Sequence, residues 1–172
     1  MRSFVGVVPP PDVAAALAGL RVDGGLRRVP AEQLHVTLQF LGEIEDPGAV
    51  IAGLGGAALP GATAVAGPAV TRLGRAVLCV PVGGLDDLAA AVVGATGHPP
   101  EDRPFHGHVT LARARGRRGV VPAAAAGEPV ERRWPVAEVV LVRSHLGDRG
   151  PRYETLASFP TRFPGGLRGE GP

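Results

Sequence analysis

The chain contains no lysine, and all 18 of its basic residues are arginines. That absence removes a Walker A phosphate-binding lysine, a lysine Schiff base and a lysyl-nucleotide intermediate, so ligation through an adenylated lysine is excluded. A single cysteine, Cys79, rules out an intramolecular disulfide and a thiolate metal cluster. Within 76–82 it reads as a small buried residue. Aromatic residues make up only 4% of the chain, which is little material for stacking a long single strand. No apolar run is long enough to span a membrane. The apolar stretch 4–8 runs into Pro9, Pro10 and Pro11, unlike an export signal, so a cytoplasmic location is expected. A formal net charge of +2 is too small for a protein that coats polyanions. The arginine bias, together with abundant Ala, Gly and Pro, is accounted for by genome composition, although arginine's planar fork also suits phosphate and carboxylate.

What is present suffices for a packed core: 172 residues, 45% of them hydrophobic, fit one domain of two lobes. The stretch 3–8 reads as a strand ended by prolines, followed by a helix from Asp12 to Ala18. Next come a strand over 34–41 and a helix from Asp46 and Pro47 to about Ala58. Segments 63–72 and 76–82 read as a hairpin turning at Gly74, and 85–93 as a helix. A strand over 105–112 follows, then a basic loop over 113–118 and a short helical turn at 123–126. A final strand pair is expected over 136–143 and 153–158. Gly53, Gly55 and Gly56 read as helix weakening, and Gly83 and Gly84 as turn chemistry without dinucleotide-fingerprint spacing. The domain is expected over 1–159, with a frayed Gly- and Pro-rich tail over 160–172.

The tetrapeptide His-Val-Thr-Leu occurs at His35–Leu38 and again at His108–Leu111, 73 residues later (108 minus 35), in a chain with five histidines. Alternation along a strand puts His35 and Thr37 on one face, and likewise His106, His108 and Thr110. Two imidazoles are what is needed to take a proton from one group and give another to a leaving group. In-line displacement at phosphorus requires acid and base on opposite sides, which two facing strands with one histidine each would supply. Threonine hydroxyls about 7 Å along each strand could donate to the phosphoryl oxygens. This logic fixes the pair, not which histidine is acid and which is base. Two competing readings remain: hydrogen-bonded strand histidines without chemistry, and a zinc site, for which two histidines with no Asp, Glu or Cys beside them are too few ligands. No metal and no cofactor is expected.

The segments VPAEQLHVTLQFLGEI at 29–44 and RPFHGHVTLAR at 103–113 resemble the two signatures of the 2H phosphoesterases. They are most similar to the RNA 2′,3′-cyclic phosphodiesterases formerly called 2′-5′ RNA ligases. The likeness extends to 2–9, 136–144, Arg152 and Tyr153. It implies an α+β, bilobal, duplicated fold with two antiparallel sheets facing across a cleft and helices outside. It also implies metal-free hydrolysis of a terminal 2′,3′-cyclic phosphate to a 2′-phosphate, with weak reverse 2′-5′ ligation. By the same resemblance His35 matches the proton donor, His108 the base that activates water, and Thr37 and Thr110 the phosphate-binding threonines.

Arg113 matches a basic position of the family, but strict alternation puts it on the opposite face from His108 unless a bulge intervenes. His106 and Tyr153 are further substrate-binding candidates, whereas Phe40 and Phe105 fall on predicted core faces. The expected partners are RNA 3′ ends or small cyclic nucleotides met by a monomer, with no membrane. The alternatives are a relative acting on another small cyclic phosphate or an oligoadenylate, and a non-catalytic RNA- or nucleotide-binding module.

Overall fold

The computed structural model describes residues 2–23, 25–116, 118–147 and 150–164. The apolar opening segment forms β1 (Arg2–Val7) and ends at the prolines, where Pro11 opens α1 (Pro11–Ala18) with its fixed φ and no side-chain cap. β2 (Leu26–Arg28) and a 3-10 turn at Ala31–Gln33 lead into the first motif strand, β3 (Val36–Gly42). α2 (Gly48–Gly56) starts where the Asp46 carboxylate accepts a hydrogen bond from Gly48 N. β4 (Ala62–Ala66), β5 (Thr71–Leu73), β6 (Val77–Gly83), α3 (Asp86–Thr96) and the second motif strand β7 (His108–Ala114) follow. A second 3-10 turn, Ala123–Ala125, precedes β8 (Arg132–Val136), β9 (Glu138–Gly147) and β10 (Gly150–Pro160).

The strands run in the order β10-β9-β1-β3-β7-β6-β4-β8, with β2 added to β7 and β5 to β6. The fold is α+β, and its two expected sheets are the two wings of one curled antiparallel path. The motif strands, one from each wing, meet at the middle of that path. They touch through one bridge, Val36 to Val109. Each half of the chain contributes an outer strand to the other wing: β4 follows β3 but pairs with β6, and β9 follows β7 but pairs with β1.

The 73-residue offset extends beyond the motifs. Val7 pairs with Val36, and Val80 with Val109; Gly6 pairs with Thr37, and Cys79 with Thr110. A bulge recurs as well. Val5 pairs with Gln39 and Gly6 with Thr37, so Leu38 has no partner, while Leu78 pairs with Ala112 and Cys79 with Thr110, leaving Leu111 without one.

One face of the path is covered by the helices. Leu17 of α1, Leu54 of α2 and Leu88 of α3 share a core with Val36, Leu38, Val109 and Leu111. Gly53 lets α2 approach α3, because a Cβ there would overlap the Ala95 carbonyl oxygen. This glycine serves close packing where simple helix weakening had been expected. The opposite face carries a small separate cluster of Phe4, Val140 and Val142.

Several sequence expectations are corrected. β2 and β8 were not anticipated, being short and containing respectively two arginines and a proline. The expected strand 63–72 divides at Gly67 and Pro68 into β4 and β5, and Arg113 and Ala114, assigned to a loop, close β7. At the start of the expected tail, Thr161 and Arg162 are tied down: Thr161 N donates to Ala137 O, Arg162 N donates to Leu59 O, and Arg162 O accepts from Gly61 N. The remainder, 165–172, lies outside the described residues. No helix among those described is long and apolar enough to cross a membrane.

Candidate active site

The Val36–Val109 bridge fixes how the four motif side chains meet. Carried one residue to either side, this antiparallel register sets His35 opposite Thr110 and Thr37 opposite His108. Because side chains alternate across a strand, all four occupy the face opposite the helices. Each imidazole is anchored in the same way. His35 Nδ1 lies 2.7 Å from Gln33 O, and His108 Nδ1 lies 2.9 Å from His106 O. A carbonyl can only accept, so Nδ1 carries the hydrogen in both rings and Nε2 is the nitrogen left for chemistry.

The surroundings of the two rings differ. His35 stacks on Phe4 with centroids 4.6 Å apart and meets the edge of Tyr153 at 5.3 Å. Burial lowers the pKa of His35 from the ordinary imidazole value; the Gln33 hydrogen bond opposes this, and the charges of Arg113 and His108 add to it. A pocket of about 130 Å³ opens beside the ring, lined by His35, Thr110, Arg113, Tyr153, Pro151 and Arg27 among others. Gln33 closes it by donating from Nε2 to Pro151 O at 3.1 Å, which ties the first motif to the β9/β10 hairpin that carries Tyr153.

Arg113 reaches this pocket through the bulge that strict alternation lacked. With Leu111 unpaired, Leu111 and Ala112 are both buried, and the exposed Arg113 returns to the face of His108 and Thr110. The equivalent bulge at Leu38 acts on Phe40, which is 58% exposed and pairs with Phe4, the ring beneath His35. The expectation that Phe40 belongs to the core is therefore corrected, whereas Phe105 is half-buried against the core. Phe40 was discoverable from the sequence, since the motif offset places it where Arg113 stands. Arg27 and Gln33 were also missed; their places depend on pairings between distant segments. Tyr153 lines the pocket as expected. His106 is exposed, and its recorded link to the site is the carbonyl that orients His108.

The remaining candidates for chemistry lie elsewhere. Cys79, the cross-strand partner of Thr110, is buried, and burial pushes its thiol up to about 11, which keeps it protonated and unreactive. His145 pairs with Glu154 at 2.8 Å on the β9/β10 hairpin. Among the described residues no three His, Cys, Asp or Glu side chains cluster as metal ligands would.

The family model described as the 2′-5′ RNA ligase superfamily matches residues 9–148. A curated relative from Thermus thermophilus, named RNA 2′,3′-cyclic phosphodiesterase, is 32% identical and aligns over 94% of this chain and 91% of its own length. One of the same name from Aeropyrum pernix is 32% identical over 76% of this chain and 84% of its own. Among solved structures, E. coli LigT complexed with 3′-AMP superposes with a TM-score of 0.73 at 27% identity, covering 93% of this chain and 97% of that one. With the paired motifs on one face and agreement over nearly the whole length, the chain belongs to the 2′-5′ RNA ligase superfamily.

Proposed function

We propose that the protein hydrolyses RNA ends bearing a 2′,3′-cyclic phosphate to 2′-phosphomonoesters, by acid–base catalysis between His35 and His108 and without a metal or cofactor. The observation that carries this reading is the matched anchoring of the two imidazoles, which leaves two Nε2 atoms and two threonine hydroxyls on one face. The names of the 32%-identical relatives support the substrate class, and the LigT complex with 3′-AMP supports a nucleotide in the cleft.

In the proposed reaction, one imidazole removes a proton from water as its oxygen attacks phosphorus. The other protonates the departing 3′ oxygen, while Thr37, Thr110 and Arg113 donate to the charged phosphoryl oxygens. The bond between phosphorus and O3′ breaks, the bond to water oxygen forms, and the phosphate stays on O2′. Attack by a 5′ hydroxyl in place of water would break the same bond between phosphorus and O3′ and join a 2′-5′ linkage by the same proton transfers. Exposed Phe40 offers a flat apolar face to the terminal base.

The family resemblance gives His35 the donor role and His108 the base role. One observation favours the exchanged assignment: His35 is the ring whose pKa burial lowers, which makes it neutral near pH 7 and able to accept a proton.

We place this activity in a monomer in the cytoplasm, acting on RNA 3′ ends. Incubation with a 2′,3′-cyclic-phosphate oligonucleotide in EDTA tests the proposal, with a 2′-phosphate product expected. A 3′-phosphate product would mean that the opposite ester bond breaks, and loss of turnover in EDTA would mean that a metal is required.

A further inference from the structure

Arg27 and Arg113 are direct cross-strand partners in the β2/β7 ladder; both are exposed, and both line the pocket beside His35. Among the described residues neither guanidinium makes an ion pair or a hydrogen bond. Other arginines nearby are engaged. Arg28 donates to Ala18 O and Leu20 O at the end of α1, Arg75 to Arg118 O, and Arg72 to Val121 O. Like charges set directly opposite each other in a strand pair repel, so an unpaired couple at the rim of a pocket is a place for an anion.

The reacting phosphate does not account for both cations. A cyclic phosphodiester carries a single negative charge and, in the proposed reaction, already meets two threonines, two imidazoles and Arg113. Arg113 lies three residues beyond Thr110, and the bulge at Leu111 shortens that to two strand positions, about 7 Å. Arg113 reaches back over that distance to the reacting phosphate, whereas Arg27, its partner one strand further from Thr110, stands beyond it, where the next phosphate of the chain would lie. The charges of Arg113 and Arg27 also both act on Tyr153, whose ring touches His35, so the pair and the histidine share one wall.

We propose that Arg27, next to Arg113 on the reacting phosphate, binds the phosphate on the 5′ oxygen of the terminal nucleotide and so selects nucleotide ends that carry one over bare cyclic nucleoside phosphates. This rests on the cyclic-phosphodiesterase reading and adds a specificity determinant to it. Arg27 contacts no reacting atom; its bidentate fork anchors the neighbouring anion and sets the register of the cyclic phosphate between the histidines. Because the contact is exposed to solvent, its effect declines as salt screens it.

The test compares kcat/KM on adenosine 2′,3′-cyclic phosphate, its 5′-phosphorylated form and the dinucleotide ApA ending in a 2′,3′-cyclic phosphate. Both phosphate-bearing substrates are expected to exceed the nucleoside form by roughly tenfold at low salt. In Arg27→Gln both ratios are expected to fall towards unity, with partial recovery in Arg27→Lys. Equal kcat/KM on all three, ratios that survive Arg27→Gln, or a gain confined to the dinucleotide would each overturn the proposal; the last would show that the second nucleoside is what is bound. Calorimetry with 2′-AMP and adenosine 2′,5′-bisphosphate reads binding apart from turnover. The bisphosphate is expected to bind roughly tenfold tighter, and that advantage is expected to vanish in Arg27→Gln. Absence of turnover on every substrate would refute the assigned reaction, while the calorimetric ratio alone would still decide whether Arg27 holds a second phosphate.

Discussion

His35 and His108 each give one hydrogen to the carbonyl two residues earlier, so their chemistry is set by what surrounds the free nitrogen. For His35 that is Phe4, Tyr153 and the charge of Arg113. Its lowered pKa bears on stability too. An unfolded His35 takes up a proton near the ordinary value, while the folded one resists until lower pH, so folding stability is lost as pH falls between those two values. The thermal midpoint is therefore expected to drop from pH 7 to pH 5, and to drop less in His35→Phe; equal losses in the two proteins would count against a buried neutral ring. Phe40, if it receives the base, contributes to binding and little to chemistry. Phe40→Ala is expected to raise KM about tenfold with kcat nearly unchanged, since base stacking is worth about 1–3 kcal/mol.

At the scale of elements, the repeated bulge decides which side chains reach the site. The motif residues were legible because period-two alternation survives from His35 to Leu38 and from His108 to Leu111. Arg113 and Phe40 were not, because the skipped partners Leu38 and Leu111 shift the alternation, and a bulge is a property of two paired strands. β2 and β8 were invisible for a related reason: three residues with two arginines, and five with a proline, become strands only through partners supplied by β7 and β4. Among helices, α2 lies against α3 because Gly53 has no side chain. Gly53→Ala is expected to destabilise the protein by about 1–3 kcal/mol through overpacking against the Ala95 carbonyl. Gly56→Ala, where a Cβ meets nothing, is expected to stabilise it by about 0.4–1 kcal/mol. Denaturant midpoints of the two variants moving the same way would contradict this packing.

At the scale of the whole molecule, a local two-fold relation runs through the Val36–Val109 bridge, and exchange of β4 and β9 interlocks the wings. Neither wing has a complete set of strands from its own half of the chain, so the two are expected to unfold together. The sole tryptophan, Trp134, is buried in β8 at the far end of one wing and reports on it. Its fluorescence and the far-ultraviolet circular dichroism are expected to share one denaturant midpoint; separate midpoints would mean independent lobes.

The same two-fold relation sets one imidazole and one threonine from each half on one face; that they act together on a single phosphorus is the proposed mechanism, and the pH dependence of kcat/KM in His35→Ala and His108→Ala tests it most directly. The wild type is expected to give a bell-shaped profile, and each variant to lose about 10²–10⁴-fold activity together with one limb, the basic limb for the proton donor and the acidic limb for the base. Full activity, or a complete bell, in either variant would contradict the two-histidine mechanism.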